Sequence, residues 1–126
     1  MPSIRLIKYD SLATIRSDIE ADAKSIAPVE VAGTSYTITL ADLGKLLRFT
    51  SDSTVTLTLP ETATESIPAG FFVALQQSGT GQVVFAVEGA DVLLAVNGAD
   101  RTSGQYAMAT VTRVATDTWA AGGSIE

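Results

Sequence analysis

The chain contains neither cysteine nor histidine. Without cysteine, a disulfide framework and a thiolate metal site are both excluded. Without histidine, the commonest general base, metal ligand and neutral-pH switch are missing. A Ser-His-Asp or Cys-His nucleophile and a histidine-ligated zinc are therefore ruled out. No apolar run approaches the roughly 20 residues that a membrane-spanning helix needs. The first ten residues carry Arg5, Lys8 and Asp10, so they lack the apolar core of a signal peptide. Neither a membrane span nor export by the general secretion route is expected.

What is present is a chain of 126 residues with a net charge of −6. That length fits one ordinary domain with room for an extension, and it can bury a working core without staples. The first 33 residues hold four cations against five acids; the rest holds four against nine. An acidic body repels phosphate backbones, so nucleic acid is not an expected partner. It also favours solubility.

Residues 1–32 differ from the remainder and form an N-terminal arm. In Ser3 to Tyr9, Ile4 and Leu6 alternate with Arg5, and Ile7 breaks the alternation. An isolated strand there would be marginal, so a pairing partner is expected, another chain included. Asp10 or Ser11 is a plausible helix cap. Leu12, Ile15, Ile19 and Ile26 then fall at spacings of three, four and seven, the seam of a short heptad pattern. A helix from Asp10 to Ile26 would be roughly 25 Å long. It fits two arrangements: lying on its own domain's core, or packing against neighbouring chains, where isoleucine-rich seams lean towards trimers. Pro28 ends it, because the residue before a proline avoids helical geometry.

From Gly33 onward the grammar is strands and turns. Tyr36, Ile38 and Leu40 alternate with threonines, as do Val55, Leu57 and Leu59 before Pro60. Both are half-buried strands by period. Gly70 to Gln77 is a further strand, and its apolar run predicts burial on both faces or a covered edge. Ser78-Gly79-Thr80-Gly81 has the composition of a hairpin turn, and Asn97-Gly98 is the strongest turn dipeptide. Gln82 to Val87, Val92 to Val96, Gln105 to Val114 and a short piece around Trp119 complete the series. On Gln105 to Val114, Ala107, Ala109, Val111 and Arg113 share one face. The fold class is all-β: an antiparallel β-sandwich or small barrel, jelly-roll-like, of about seven or eight strands. The domain runs over residues 33–126, preceded by the arm and its one short helix.

Few groups offer chemistry. Glu88, Asp91, Asp100 and Asp117 lie in turns that could gather at one end of the fold. A carboxylate pair for glycoside cleavage or a calcium site is conceivable from them. Acids in turns more often serve turn geometry and solubility, and the D-x-D-x-D-G spacing is absent. No catalytic, metal or cofactor-binding residue is nominated, and no enzyme is expected. Phe49, Phe85, Tyr36 and Tyr106 sit at alternating apolar positions and read as core. Trp119 fits either a core plug or an exposed contact. Residues 34–62 hold eight threonines, a hydroxyl-rich outer face that symmetric self-pairing would protect.

The run from Tyr36 to Thr50, YTITLADLGKLLRFT, resembles a β-rich module of tailed-bacteriophage virion proteins, the capsid-decoration and tail-fibre type. The likeness continues through Val55 to Pro60, Pro68-Ala69-Gly70, Gly79 to Val83, Gly104 to Ala107 and Thr116 to Trp119, and covers about residues 33–123. In that family these positions mark strands and turns, so no catalytic set is implied. The resemblance implies a virion component, a homotrimer, made in the host cytoplasm and residing on the outer capsid surface. Its partners would be the major capsid protein or another virion protein, copies of itself, and a host glycan as a further option. Two placements compete: a capsid decoration (cement) protein, or a fibre, collar or adaptor on the tail. The chain starts at Met1 and stops just after the module, so it reads as complete. The arm lies outside the likeness, and its apolar residues Ile4, Leu6, Leu12, Ile15, Ile19 and Ile26 are the candidate capsid or subunit interface.

Overall fold

Nine short strands and two three-residue 3-10 turns make up the regular structure of residues 27–126, the part of the chain that the computed structural model describes. The strand expected over 3–9 and the helix expected over 10–26 lie outside the described residues. The strands are β1 (Val29–Val31), β2 (Ser35–Thr37), β3 (Leu46–Phe49), β4 (Val55–Leu59) and β5 (Phe72–Gln77), then β6 (Val83–Val87), β7 (Val92–Leu94), β8 (Met108–Ala115) and β9 (Thr118–Gly123). They form a six-stranded sheet in the order β1-β3-β5-β8-β9-β7 and a three-stranded sheet in the order β2-β4-β6.

The chain is strand-rich, as its alternation predicts, but the antiparallel jelly-roll-like pairing is not what the sheets contain. Five of the seven strand pairings are parallel. Only β5–β8 and β8–β9 run antiparallel. Period two reports which face is buried and is blind to the direction of the neighbour. Parallel neighbours need a crossover, and in the four parallel pairs from β1 to β6 the crossover is itself a strand of the other sheet. From β1 to β6 the chain alternates between the sheets, so β4 connects β3 to β5 and β5 connects β4 to β6. The strand-rich body also starts earlier than the boundary at residue 33, because Val29–Val31 pairs with β3.

This winding stacks like on like. Leu47 lies beside Leu75, and Val55 beside Val83, an offset of 28 residues in both sheets. The ladders Val29–Leu47–Leu75 and Tyr36–Leu57–Phe85 run up the inner faces. Strands of both sheets contribute to a single core, including Phe49, Leu57, Leu75, Val83, Val111 and Trp119. Full burial of each such side chain is worth about 1.5–3 kcal/mol in transfer free energy.

The connection from β5 to β6 shows how tight the winding is. Ser78 to Gly81 is not a hairpin turn; it carries the chain between sheets and sits directly on the corresponding turn at Ser51 to Ser53. A β-carbon on Gly79 would lie 2.2 Å from the Ser51 carbonyl oxygen, and one on Gly81 would lie 1.9 Å from that of Ser53. The backbone amide of Gly81 donates to the Ser51 carbonyl at 3.0 Å, and the Thr80 hydroxyl donates to Asp52 Oδ1 at 3.1 Å. Glycine is therefore required here for close backbone approach.

One ladder position breaks the apolar rule. Gln77, beside Phe49, is buried with 1% exposure. Its Nε2 donates to the Gly79 carbonyl, and its Oε1 accepts from the Thr102 hydroxyl. That hydroxyl in turn accepts from the Val83 amide at 2.9 Å. Each buried polar atom of the relay is thereby matched, which removes the penalty of burying it.

Candidate functional site

Two of the four turn acids, Asp91 and Asp117, come together just ahead of the paired strands β7 and β9, both against Arg113. Asp91 precedes β7, is buried, and lies 2.9 Å from Nη1 of Arg113. Asp117 occupies a turn with φ of 57° and stands 4.0 Å from Nη2 of the same arginine. Asp100 pairs with Arg101 at 2.9 Å, and Glu88 accepts from the Glu61 amide. Turn geometry and ion pairing thus account for their positions. No group of three or more metal-ligating side chains occurs among the described residues.

Arg113 is instead the centre of a buried polar cluster. It projects from the inner face of β8, the face it shares with Ala109 and Val111, with a side-chain exposure of 1%. Besides Asp91, it donates to the Pro60 carbonyl at 3.3 Å and to the Thr62 hydroxyl. Trp119, its cross-strand partner on β9, also donates to the Pro60 carbonyl, at 3.2 Å. Phe71 meets the indole edge-on with ring centres 6.1 Å apart. The cluster ties the end of β4 to β8 and β9, and so one sheet to the other. No buried side-chain nitrogen or oxygen among the described residues lacks a partner. The sequence signal for it was a lone arginine on an otherwise apolar strand face.

A second, smaller arrangement holds the connection from β2 to β3. The Tyr36 hydroxyl donates to Asp42 Oδ1 at 2.8 Å, and the Thr39 amide donates to Asp42 Oδ2 at 2.9 Å. Burial, followed by the hydrogen bond and the charge of Asp42, pushes the Tyr36 phenol up to about 12.

Exposed apolar groups supply the remaining candidate surface. The strand Phe72–Gln77 is not buried on both faces: Phe72 is half exposed, whereas Val73 and Leu75 are fully buried. Met108 and Val114 on β8 and Val92 and Leu94 on β7 are similarly exposed. All five lie on strands of the six-stranded sheet. Beyond β7, Val96 is 79% exposed. Two shallow depressions adjoin it, one lined by Leu93 to Val96 with Ala121, the other by Val96, Ala121, Ile125 and Glu126 among others. Among the described residues β7 is an edge strand, and it carries no charge and no proline over Val92 to Val96. By contrast, the β6 edge of the smaller sheet is covered by Asp100 to Thr102.

Of the rings expected in the core, Tyr36 packs edge-on against Phe49, and Phe85 is buried. Tyr106 is not in the core: it is 67% exposed. Its φ of 70° and the bond from its amide to the Gln77 carbonyl swing it away from the alternation of β8. Trp119 is fully buried, a core plug. Ile4, Leu6, Leu12, Ile15, Ile19 and Ile26, the candidate interface residues of the arm, all lie outside the described residues.

No family model, no curated protein and no solved structure matches this chain.

Proposed function

We propose that this chain is a structural virion protein of a tailed bacteriophage: a capsid decoration protein that binds the outer capsid surface as a homotrimer and stabilises the head. Its partner is then the major capsid protein, and its chemistry is binding rather than catalysis. One observation carries this reading. Among the described residues, the ionisable groups of the cluster between the sheets are engaged with one another, whereas the larger sheet leaves apolar side chains and an unprotected edge exposed. Large exposed apolar patches mark interaction sites. The virion context comes from the resemblance over residues 33–123. In this picture the two sheets face each other as a sandwich, and the arm with its helix is the anchor.

The test removes Met1 to Ala27 and measures binding to empty heads of the parent phage. Loss of binding is expected, and undiminished binding would overturn arm-anchored decoration. Binding to isolated tails in place of heads would instead favour a fibre, collar or adaptor. A glycan-binding module is a second reading that Tyr106 favours, since it is a solvent-exposed ring of the kind on which a sugar can stack. Trp119 supports no such platform, because it is enclosed.

A further inference from the structure

We propose that the β7 edge, Val92 to Val96 with its adjoining depressions, receives residues 3–9 of a second copy of this chain as an added strand. The inference stands apart from the capsid reading and rests on three features of the molecule. The first is the acceptor. An edge strand presents a row of backbone groups without a sheet partner, and natural proteins blunt such edges with charge, proline or a covering segment. Val92-Leu93-Leu94-Ala95-Val96 has no charge and no proline, and its side chains at 92, 94 and 96 are 51%, 52% and 79% exposed.

The second feature is the chemistry of the occupant. Residues 3–9 read SIRLIKY, with Ile4 and Leu6 at alternate positions, two cations and no acid. Residues 27–126 hold four cations against ten acids. Glu126 lines the depression next to Val96, and Glu88 stands just ahead of β7. Strand addition takes its affinity from main-chain bonds and its selectivity from pockets for alternate side chains. The edge and the depressions offer both, and the opposed charges favour this segment.

The third feature is direction. The chain enters the six-stranded sheet at β1, and β7 is the opposite edge, five strand spacings or about 24 Å away. The point where the chain enters the sheet and the proposed acceptor edge therefore lie on opposite sides of that sheet. That is the geometry of a head-to-tail contact, which closes into a ring when the rotation permits. Each copy then donates one arm and fills one edge.

Because the chain has no cysteine, full-length double variants test this without background thiols. Leu6→Cys is combined with Val92→Cys, Leu94→Cys or Val96→Cys, the three acceptors scanning the register that a disulfide's narrow reach demands. Leu6→Cys with Thr56→Cys, on the exposed face of the other sheet, is the control. After oxidation, links between chains are expected in most molecules of at least one acceptor pair and in few of the control. A link confined within one chain, or yields no higher than the control at all three acceptors, would overturn the proposal. Leu94→Lys in the otherwise native chain is the second arm. Its solution mass by light scattering is expected to fall to that of one chain, 13.1 kDa, with the circular dichroism spectrum unchanged. Retention of the oligomer by a folded Leu94→Lys, or a native chain that is already monomeric, would equally overturn it.

Discussion

The guanidinium of Arg113 lies 5.2 Å from the centre of the Trp119 ring, and both side chains donate to one acceptor, the carbonyl of Pro60. Asp91 supplies the counter-charge from the turn before β7. Removing one member of a buried ion pair leaves the other charge uncompensated, which costs about 3–5 kcal/mol. Arg113→Met is expected to lose that amount in urea unfolding followed by Trp119 fluorescence. The double variant Arg113→Met, Asp91→Leu should recover part of the loss, because no charge is then stranded. A cost below about 1 kcal/mol for the single change, the level of a surface pair, would show that the cluster does not hold the sheets together.

Most strand positions were legible in the sequence, and their pairing was not. Alternation placed Val55, Leu57 and Leu59 on one face, and Ala109, Val111 and Arg113 on another, because a half-buried strand shows period two whatever lies beside it; it did not say that the face of Arg113, rather than that of Tyr106, is the inner one. The parallel winding was carried by a subtler signal, the recurrence of Leu47 and Val55 as Leu75 and Val83. Ser78-Gly79-Thr80-Gly81 pointed the wrong way, since small residues serve hairpins and close backbone crossings alike. Arg113 was visible on its face, but its partner Asp91 lies across a loop and a strand, a pairing no local pattern encodes. The exposure of Tyr106 came from one backbone angle, φ of 70°, where a glycine or asparagine would have been the usual marker.

The stacked turns give a sharp steric prediction. Gly79→Ala and Gly81→Ala each place a β-carbon against backbone of the turn below, at Ser51 and Ser53. Neither neighbour is a flexible side-chain tip, so relief requires the two turns to separate. Each substitution is expected to cost about 1–3 kcal/mol, the range for overpacking. Gly104→Ala, with no atom within 4 Å of its β-carbon, serves as the neutral reference. Thermal midpoints of the three variants, measured side by side, check the ranking; equal midpoints would contradict the close approach.

Tyr36 predicts an alkaline limb in stability. Its phenol is pushed up from 10.0 to about 12 in the folded chain, first by burial and then by the bond and charge of Asp42. The folded state thus holds the proton more tightly than the unfolded state. The contribution is fully present below pH 10 and is lost as the pH climbs towards 12. Tyr36→Phe is expected to be less stable than the native chain at neutral pH by about 1 kcal/mol, the net worth of a hydrogen bond. That difference should shrink across the same alkaline window. Tyrosinate absorbance should correspondingly lose its latest-titrating step in the variant. An unchanged titration curve would remove Tyr36 as its source.

Trp119 is the chain's single tryptophan, so its emission reports one environment. Enclosure by Phe71, Arg113 and the Pro60 carbonyl predicts a blue-shifted maximum and no quenching by iodide in the folded protein. Adding candidate sugars should leave that emission unchanged, because the ring is not at a surface. Among the described residues, Tyr106 is the most exposed ring and so the one on which to test sugar recognition. Tyr106→Ala is then expected to abolish retention on immobilised glycan. It should also leave stability nearly as it was, since the ring is 67% exposed and surface substitutions usually shift stability by no more than about 0.5 kcal/mol. Quenchable, red-shifted emission from the native fold would place Trp119 at the surface and contradict its position between the sheets.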